Sequence, residues 1–289
     1  MWKILRILTT NRCNYNCIYC HNEGQRFHDK VDQLSFDDFV KVQKSIIDMG
    51  FVEVRVSGGE PLLNPATIEM IEWLNKNTDY EIGLASNGSI LTEKTIDRLS
   101  RTRTMITLNM PSIKPEEYKR ITKMEIDSFM KTVELLESME IEHSFNFVLH
   151  PENIRNIDDV LRYTVSRGKR IKLLPFIEEG FKNYSQEYLS EIRHKLNSSA
   201  IQRTEIGNQG LEIWDFEGGG RVKLLLSPCY DGNISRCREY GELRLLPDMT
   251  LKSCIFQNDA VSIRDADVEG IRRIIEQQWR DFNSCIKRR

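Results

Sequence analysis

Two periods of apolar residues alternate along most of this chain. Residues 4–9 are a short, β-branched apolar run that gives way to the polar Thr10-Asn11-Arg12, which predicts a strand ending in a loop. Residues 35–49 open on Ser35, carry Asp37 and Asp38, and place Phe39, Val40, Val42, Ile46 and Ile47 before Gly50, the pattern of a capped amphipathic helix. Residues 51–56 then alternate apolar and charged side chains, as a strand with one buried face does. The same contrast predicts strands over 81–85, 104–109, 143–149 and 170–176, with helices over 65–75, 92–99 and 156–167 and one or two helices over 115–139. Strands joined through helices imply βα crossovers and a parallel sheet. Six such units with right-handed connections curl into a partial (β/α)6 barrel; a doubly wound sheet is the alternative. In either, the loops at the strand C-terminal ends build the site.

Beyond Gly218-Gly219-Gly220, a candidate hinge, the pattern changes. Strands are expected over 222–226, 243–246 and 251–256, and a last amphipathic helix over 265–285 with Ile271, Ile274, Ile275 and Trp279 on one face. The α/β chain therefore divides into a barrel core, residues 1–217, and a small α+β extension, residues 218–289. No internal repeat is expected. The 289 residues are 40% hydrophobic and 29% charged, ordinary for a globular protein. The 41 Lys and Arg against 43 Asp and Glu leave a formal charge of −2, which gives no support to a nucleic-acid or membrane-surface binder. Lys3 and Arg6 interrupt the apolar start, and no apolar run is long enough to span a bilayer, so a cytoplasmic protein is expected.

Cysteine changes the picture. Seven cysteines, an odd number, argue against a disulfide scaffold, and three of them, Cys13, Cys17 and Cys20, fall within eight residues directly after the first expected strand. Three thiolates on one short loop can hold three irons of a [4Fe–4S] cube and leave the fourth iron open. Zinc would need a fourth ligand, which His21 could supply. Cys229, Cys237, Cys254 and Cys285 lie in the last quarter of the chain, either as a four-thiolate set for an auxiliary cluster or as ordinary buried thiols. Ser57-Gly58-Gly59-Glu60-Pro61 follows the second strand, and Gly83-Leu84-Ala85-Ser86-Asn87-Gly88 the third.

The spacing Cys-x3-Cys-x2-Cys, with Tyr19 before the last cysteine and the Gly-Gly-Glu-Pro stretch downstream, resembles the radical S-adenosylmethionine (radical SAM) enzymes. The resemblance implies a [4Fe–4S] cluster on Cys13, Cys17 and Cys20 and S-adenosylmethionine bound by Tyr19, Gly58, Gly59, Glu60, Ser86, Asn87, Asn109 and Ile177. Glu60 is expected to accept from the methionine ammonium, and the glycines to let backbone approach the ligand. Arg6, Arg55, residues 115–122 and residues 242–248 are similar to stretches of the GTP 3′,8-cyclases (MoaA-type). By that likeness Arg6, Arg55, Lys172 and Arg244 surround the substrate, with Asn146 on the same barrel wall. Glu53 and Glu242 stand where those cyclases carry cations, and two carboxylates would repel a triphosphate in a desolvated pocket, so the GTP cyclase activity itself is not expected.

The resemblance implies reductive cleavage of S-adenosylmethionine, with one electron from a flavodoxin- or ferredoxin-like donor. Hydrogen abstraction from a small polar, nucleotide-like substrate in a biosynthetic pathway would follow. A peptide-modifying enzyme of the SPASM/Twitch kind is a second reading, to which Cys237 and Cys254 are similar in spacing. A non-catalytic iron–sulfur or metal-binding regulator is a third.

Overall fold

The computed structural model describes residues 3–21, 33–176, 186–207, 210–226, 241–254 and 260–284. Strand and helix alternate from the start: β1 (Lys3–Leu8), α1 (Phe36–Ile46), β2 (Phe51–Ser57), α2 (Thr67–Asn77), β3 (Glu81–Ser86), α3 (Glu93–Ser100) and β4 (Thr104–Asn109). Two helices follow, α4 (Pro115–Thr122) and α5 (Asp127–Ser138), then β5 (His143–Leu149), α6 (Ile157–Val165) and β6 (Arg170–Pro175). Local chemistry sets these boundaries: the Ser35 hydroxyl accepts from Asp38 N at the start of α1, and the Thr92 hydroxyl accepts from Thr95 N at the start of α3.

Strands β1 to β6 are parallel and lie side by side in chain order. A doubly wound sheet reverses its direction of growth at a switch point, and this one does not, so the partial-barrel expectation holds. Along each strand alternate positions are buried and apolar: Leu5 and Ile7, Val54 and Val56, Ile82 and Leu84, Ile106 and Leu108, Phe145 and Phe147, Ile171 and Leu173. They share one core with Phe39, Val42, Ile71, Leu74, Ile96 and Leu99 of the helices, each fully buried side chain contributing about 1.5–3 kcal/mol. The intervening positions, among them Arg6, Arg55, Thr107, Asn146 and Lys172, face the other side of the sheet and are only partly exposed. That inner face is the barrel lumen.

The rest of the chain extends the same sheet. After α7 (Gln186–Ser199), β7 (Gln202–Ile206) and β8 (Leu211–Asp215) lead to β9 (Arg221–Leu225), which pairs parallel with β6 and antiparallel with β8. Gly218 and Gly219, with φ of 80° and 87°, make the turn between β8 and β9. The triple glycine is thus a hairpin turn within one sheet, not a hinge between bodies. On the opposite edge β10 (Glu242–Leu245) pairs parallel with β1 and carries β11 (Thr250–Lys252) and β12 (Val261–Ser262). The last helix, α8 (Val268–Ser284), packs on α1, and its Trp279 ring lies 6.0 Å from Phe51 and 5.7 Å from the Lys3 ammonium. Among the described residues no helix is long and apolar enough to cross a membrane.

Candidate active site

The cysteine loop leaves β1 and is held from both sides by backbone. Thr9 N donates to Ser57 O (3.0 Å), Gly59 N to Thr10 O (2.8 Å) and Glu60 N to Arg12 O (2.8 Å), which carries the β1–β2 pairing past the strand ends. Only glycine fits this seam. A Cβ on Gly58, whose φ is 143°, would lie 2.4 Å from Thr10 O, and one on Gly59 would lie 2.1 Å from Arg12 O. The two glycines therefore seat the Gly-Gly-Glu stretch against the cysteine loop itself. On the far side Asn16 N donates to Thr122 O (3.2 Å) and Ile18 N to Ile121 O (3.1 Å), while the Tyr118 hydroxyl donates to that of Tyr15 at 3.2 Å. The end of α4 is thus a second rail for the loop.

Glu60 has no exposed surface and accepts from Leu62 N (3.2 Å), the Ser86 hydroxyl (2.9 Å) and Asn87 N (2.7 Å). Burial pushes its carboxyl up to about 7, against the pull of those three hydrogen bonds. Glu60 braces the ends of β2 and β3 together, with Oε1 accepting two of these hydrogen bonds and Oε2 one. Asn87 reaches back to the loop: its Nδ2 donates to Asn14 Oδ1 (2.8 Å) and lies 3.9 Å from Cys13 Sγ, and Asn14 Nδ2 donates to Ser89 Oγ (2.8 Å). Residues from three strand ends thus surround Cys13.

Cys13 and Cys20 are exposed free thiols and Cys17 is half-buried. Burial, together with repulsion from Cys20 and Cys13, pushes the Cys17 thiol up to about 12. Three thiolates so close together call for bound positive charge. Among the described residues no three His, Cys, Asp or Glu side chains converge on a point suited to a single ion. Three thiolates on one loop can each serve a separate iron, and His21, next in sequence, is the fourth ligand that zinc would need. The donor set fits a [4Fe–4S] cluster. Next to it Tyr19 is buried, and its hydroxyl accepts from Asn109 Nδ2 at 2.6 Å, so these two expected S-adenosylmethionine contacts meet at the mouth of the lumen. The His150 ring lies 6.4 Å from Tyr19 and 4.5 Å from Phe176.

Below the mouth the lumen is lined by charge. Glu242 sits among three arginines: it accepts from Arg6 Nε (3.0 Å) and Nη2 (3.1 Å), from Arg55 Nη1 (3.1 Å), and lies 2.5 Å from Arg244 Nη2. Arg55 spends its remaining edge on Glu53, at 2.5 and 3.0 Å. The arginines hold the Glu242 carboxyl well below the usual carboxylate range in spite of its burial. On the opposite wall burial and the charges of Arg55, Lys223 and Arg6 lower Lys172 to about 8.

Comparisons with known proteins give the family. The Radical SAM superfamily pattern matches residues 7–164, more than half of the chain. The chain belongs to the radical SAM superfamily. It is 25% identical to a probable GTP 3′,8-cyclase of Methanothermobacter marburgensis, over 99% of this chain and 94% of that one. It is 24% identical to the GTP 3′,8-cyclase of Helicobacter pylori, over 97% and 92%. Among solved structures it superposes on Streptococcus suis SuiB bound to the precursor peptide SuiA with a TM-score of 0.75 at 11% identity, covering 99% of this chain and 67% of SuiB. On anSMEcpe with bound AdoMet the TM-score is 0.67 at 16% identity, covering 93% and 79%. These likenesses extend the shared fold past the matched core to the C-terminal strands.

In this radical SAM enzyme the residues expected to bind the cluster and S-adenosylmethionine gather at one end of the barrel, except Ile177, which lies outside the described residues. Cys229, Cys237 and Cys285 also lie outside them; Cys254 is buried at the end of β11. Arg6, Arg55 and Arg244 do face the lumen, but with carboxylate partners that sequence reasoning read only as repulsive substitutions. It also gave no role to the brace residues Asn14, Ser89 and Tyr118, the first inside the cysteine motif and the last inside residues 115–122, nor to Lys223, for which a signal was present. Residues 170–174 and 221–225 read Arg-Ile-Lys-Leu-Leu and Arg-Val-Lys-Leu-Leu, a short repeat that the sheet pairs in register.

Proposed function

We propose that this radical SAM enzyme holds a [4Fe–4S] cluster on Cys13, Cys17 and Cys20, binds S-adenosylmethionine beside it, and acts on a small polar substrate in the lumen. The observation that carries the reading is the lock between the Gly58-Gly59-Glu60 seam and the cysteine loop, at the mouth of a lumen lined by charged side chains. When bound, the cluster and S-adenosylmethionine supply reductive cleavage, with one electron from a flavodoxin- or ferredoxin-like donor, and a carbon radical that takes a hydrogen atom from the substrate.

The chain's own residues position and protect. Gly58, Gly59, Ser86 and Asn87 form the floor for the amino-acid end of S-adenosylmethionine, kept in place by Glu60 from behind. Tyr19 and Asn109, joined by their hydrogen bond, face its adenosyl end, with Ile177 assigned to the same surface by family resemblance. Asn146 and Lys172 orient polar groups of the substrate, and the arginine–glutamate network of Arg6, Arg55 and Arg244 makes the opposite wall. A chamber walled in this way keeps solvent from a reactive radical. Nucleotide-like molecules are the first to screen, because the curated relatives named above are GTP 3′,8-cyclases matched over nearly their whole length.

The test is release of 5′-deoxyadenosine from anaerobically reconstituted protein given S-adenosylmethionine and dithionite. Release from the wild type and none from Cys13→Ala/Cys17→Ala/Cys20→Ala supports the reading. A wild type that forms no iron–sulfur absorbance overturns it.

A further inference from the structure

The lumen cations divide into two groups. Arg6, Arg55 and Arg244 are committed to Glu242 and Glu53. Facing them, the paired repeat of β6 and β9 carries two cation rows. The first row is Arg170 and Arg221, and each has a carboxylate partner, Glu142 and Asp215. The second is Lys172 and Lys223, directly opposite each other on adjacent strands, and neither makes a hydrogen bond or ion pair among the described residues.

This second row has a direction. Register places Asn109 beside Asn146, Asn146 beside Lys172, and Lys172 beside Lys223. Adjacent strands lie about 5 Å apart, so the backbone positions of the row run from Asn109, hydrogen-bonded to Tyr19 at the mouth, to Lys223 over about 15 Å. Asn146 Oδ1, between them, is buried and has no hydrogen-bond partner among the described residues. Two like charges side by side in a partly desolvated wall, next to an orphaned acceptor, cost free energy that a bound anion with a neighbouring hydroxyl or amine would recover. Burial lowers both lysines; Arg55, Lys223 and Arg6 lower Lys172 further against the pull of the Glu53 carboxylate, and Arg170 and Arg221 lower Lys223 against that of Asp215.

We propose that Lys172 and Lys223 form an oxyanion subsite for one carboxylate or phosphate group of the substrate, with Asn146 accepting from a donor on the same molecule. Glu242 and Glu53 cancel two of the three arginine charges in the corner of Arg6, Arg55 and Arg244, which weakens its pull on a triphosphate relative to the lysine row. This rests on the reading of the lumen as the substrate chamber.

Calorimetric titration of anaerobically reconstituted protein with inorganic phosphate and, separately, acetate tests it. Loss of one charge-assisted contact weakens binding about tenfold, so Lys172→Gln and Lys223→Gln should each show that loss, and Lys172→Arg should restore binding. Glu242→Gln, which releases the arginines, should tighten tripolyphosphate far more than phosphate. Binding of phosphate alone assigns a phosphate ester, and of acetate alone a carboxylate. Equal affinity of wild type and both lysine variants, or no binding of either anion by wild type, overturns the subsite; melting curves of the variants establish that they fold. The same preparations are assayed for 5′-deoxyadenosine. Cleavage with lysine-independent anion binding sinks the subsite alone, and lysine-dependent binding without cluster or cleavage sinks the radical reading alone.

Discussion

Gly59 has no room for a side chain: a methyl group would overlap Arg12 O at 2.1 Å, and neither backbone can move without breaking the seam. Gly59→Ala should cost about 1–3 kcal/mol, as overpacking does, and lower iron content after reconstitution, checked by denaturant melts and iron assay. Lys172 works in the other direction. Unfolded it titrates at the ordinary 10.5, folded at about 8. Below pH 8 both states hold the proton and the fold carries the whole penalty of a buried ammonium. Between about 8 and 10.5 the folded chain has released the proton and the unfolded chain has not, so this contribution makes stability rise with pH. Lys172→Met should therefore stabilise the protein at pH 7 by on the order of 1–3 kcal/mol and remove that rise, read from paired melts at pH 7 and pH 10. A residue that costs stability where a neutral one would fit is a residue held for function.

At the scale of elements, α4 is short, and its importance lies in what it supports. Its last two carbonyls receive the amides of Asn16 and Ile18, and Tyr118 packs edge-on against Tyr15 with ring centroids 6.3 Å apart. Tyr118→Phe keeps the ring and loses the hydroxyl pair, so it should cost about 1 kcal/mol. Its sharper consequence should be a looser cysteine loop, seen as faster loss of the cluster's absorbance to a chelator than in the surface variant Arg98→Gln. Equal rates would mean that the loop is held from the Gly58-Gly59 side alone.

For the molecule as a whole, the sheet does not respect the boundary expected at residue 217. β9 lies between β6 and β8, and β10 covers the edge of β1. A chain ended at residue 217 would detach β7 and β8 from the sheet and expose unpaired edges at β1 and β6. We expect that truncation to aggregate and the full chain to unfold in one transition, with amides of β10 protected from hydrogen exchange as well as those of β1. An early, separate loss of protection in β10 would restore a two-unit description.

Apolar period alone determined the six-strand core, because each β-strand buries one face against helices and each helix one stripe against the sheet, and both requirements leave their spacing in the residues. The cysteine triad and the Gly-Gly-Glu stretch were legible for a different reason: their chemistry needs those residue types at short range. β7, exposed at nearly every position, left no such imprint, whereas the buried Leu189, Ile192 and Leu196 of α7 lie at helical spacing, a signal that sequence reasoning passed over. Which cations are free was a tertiary matter. Arg6, Arg55 and Glu242 are far apart in the chain and become partners only when β10 joins β1, while Lys172 and Lys223 become neighbours only when β9 joins β6. Sequence sets which charges the lumen contains; strand order and register decide which of them cancel and which remain to meet a substrate.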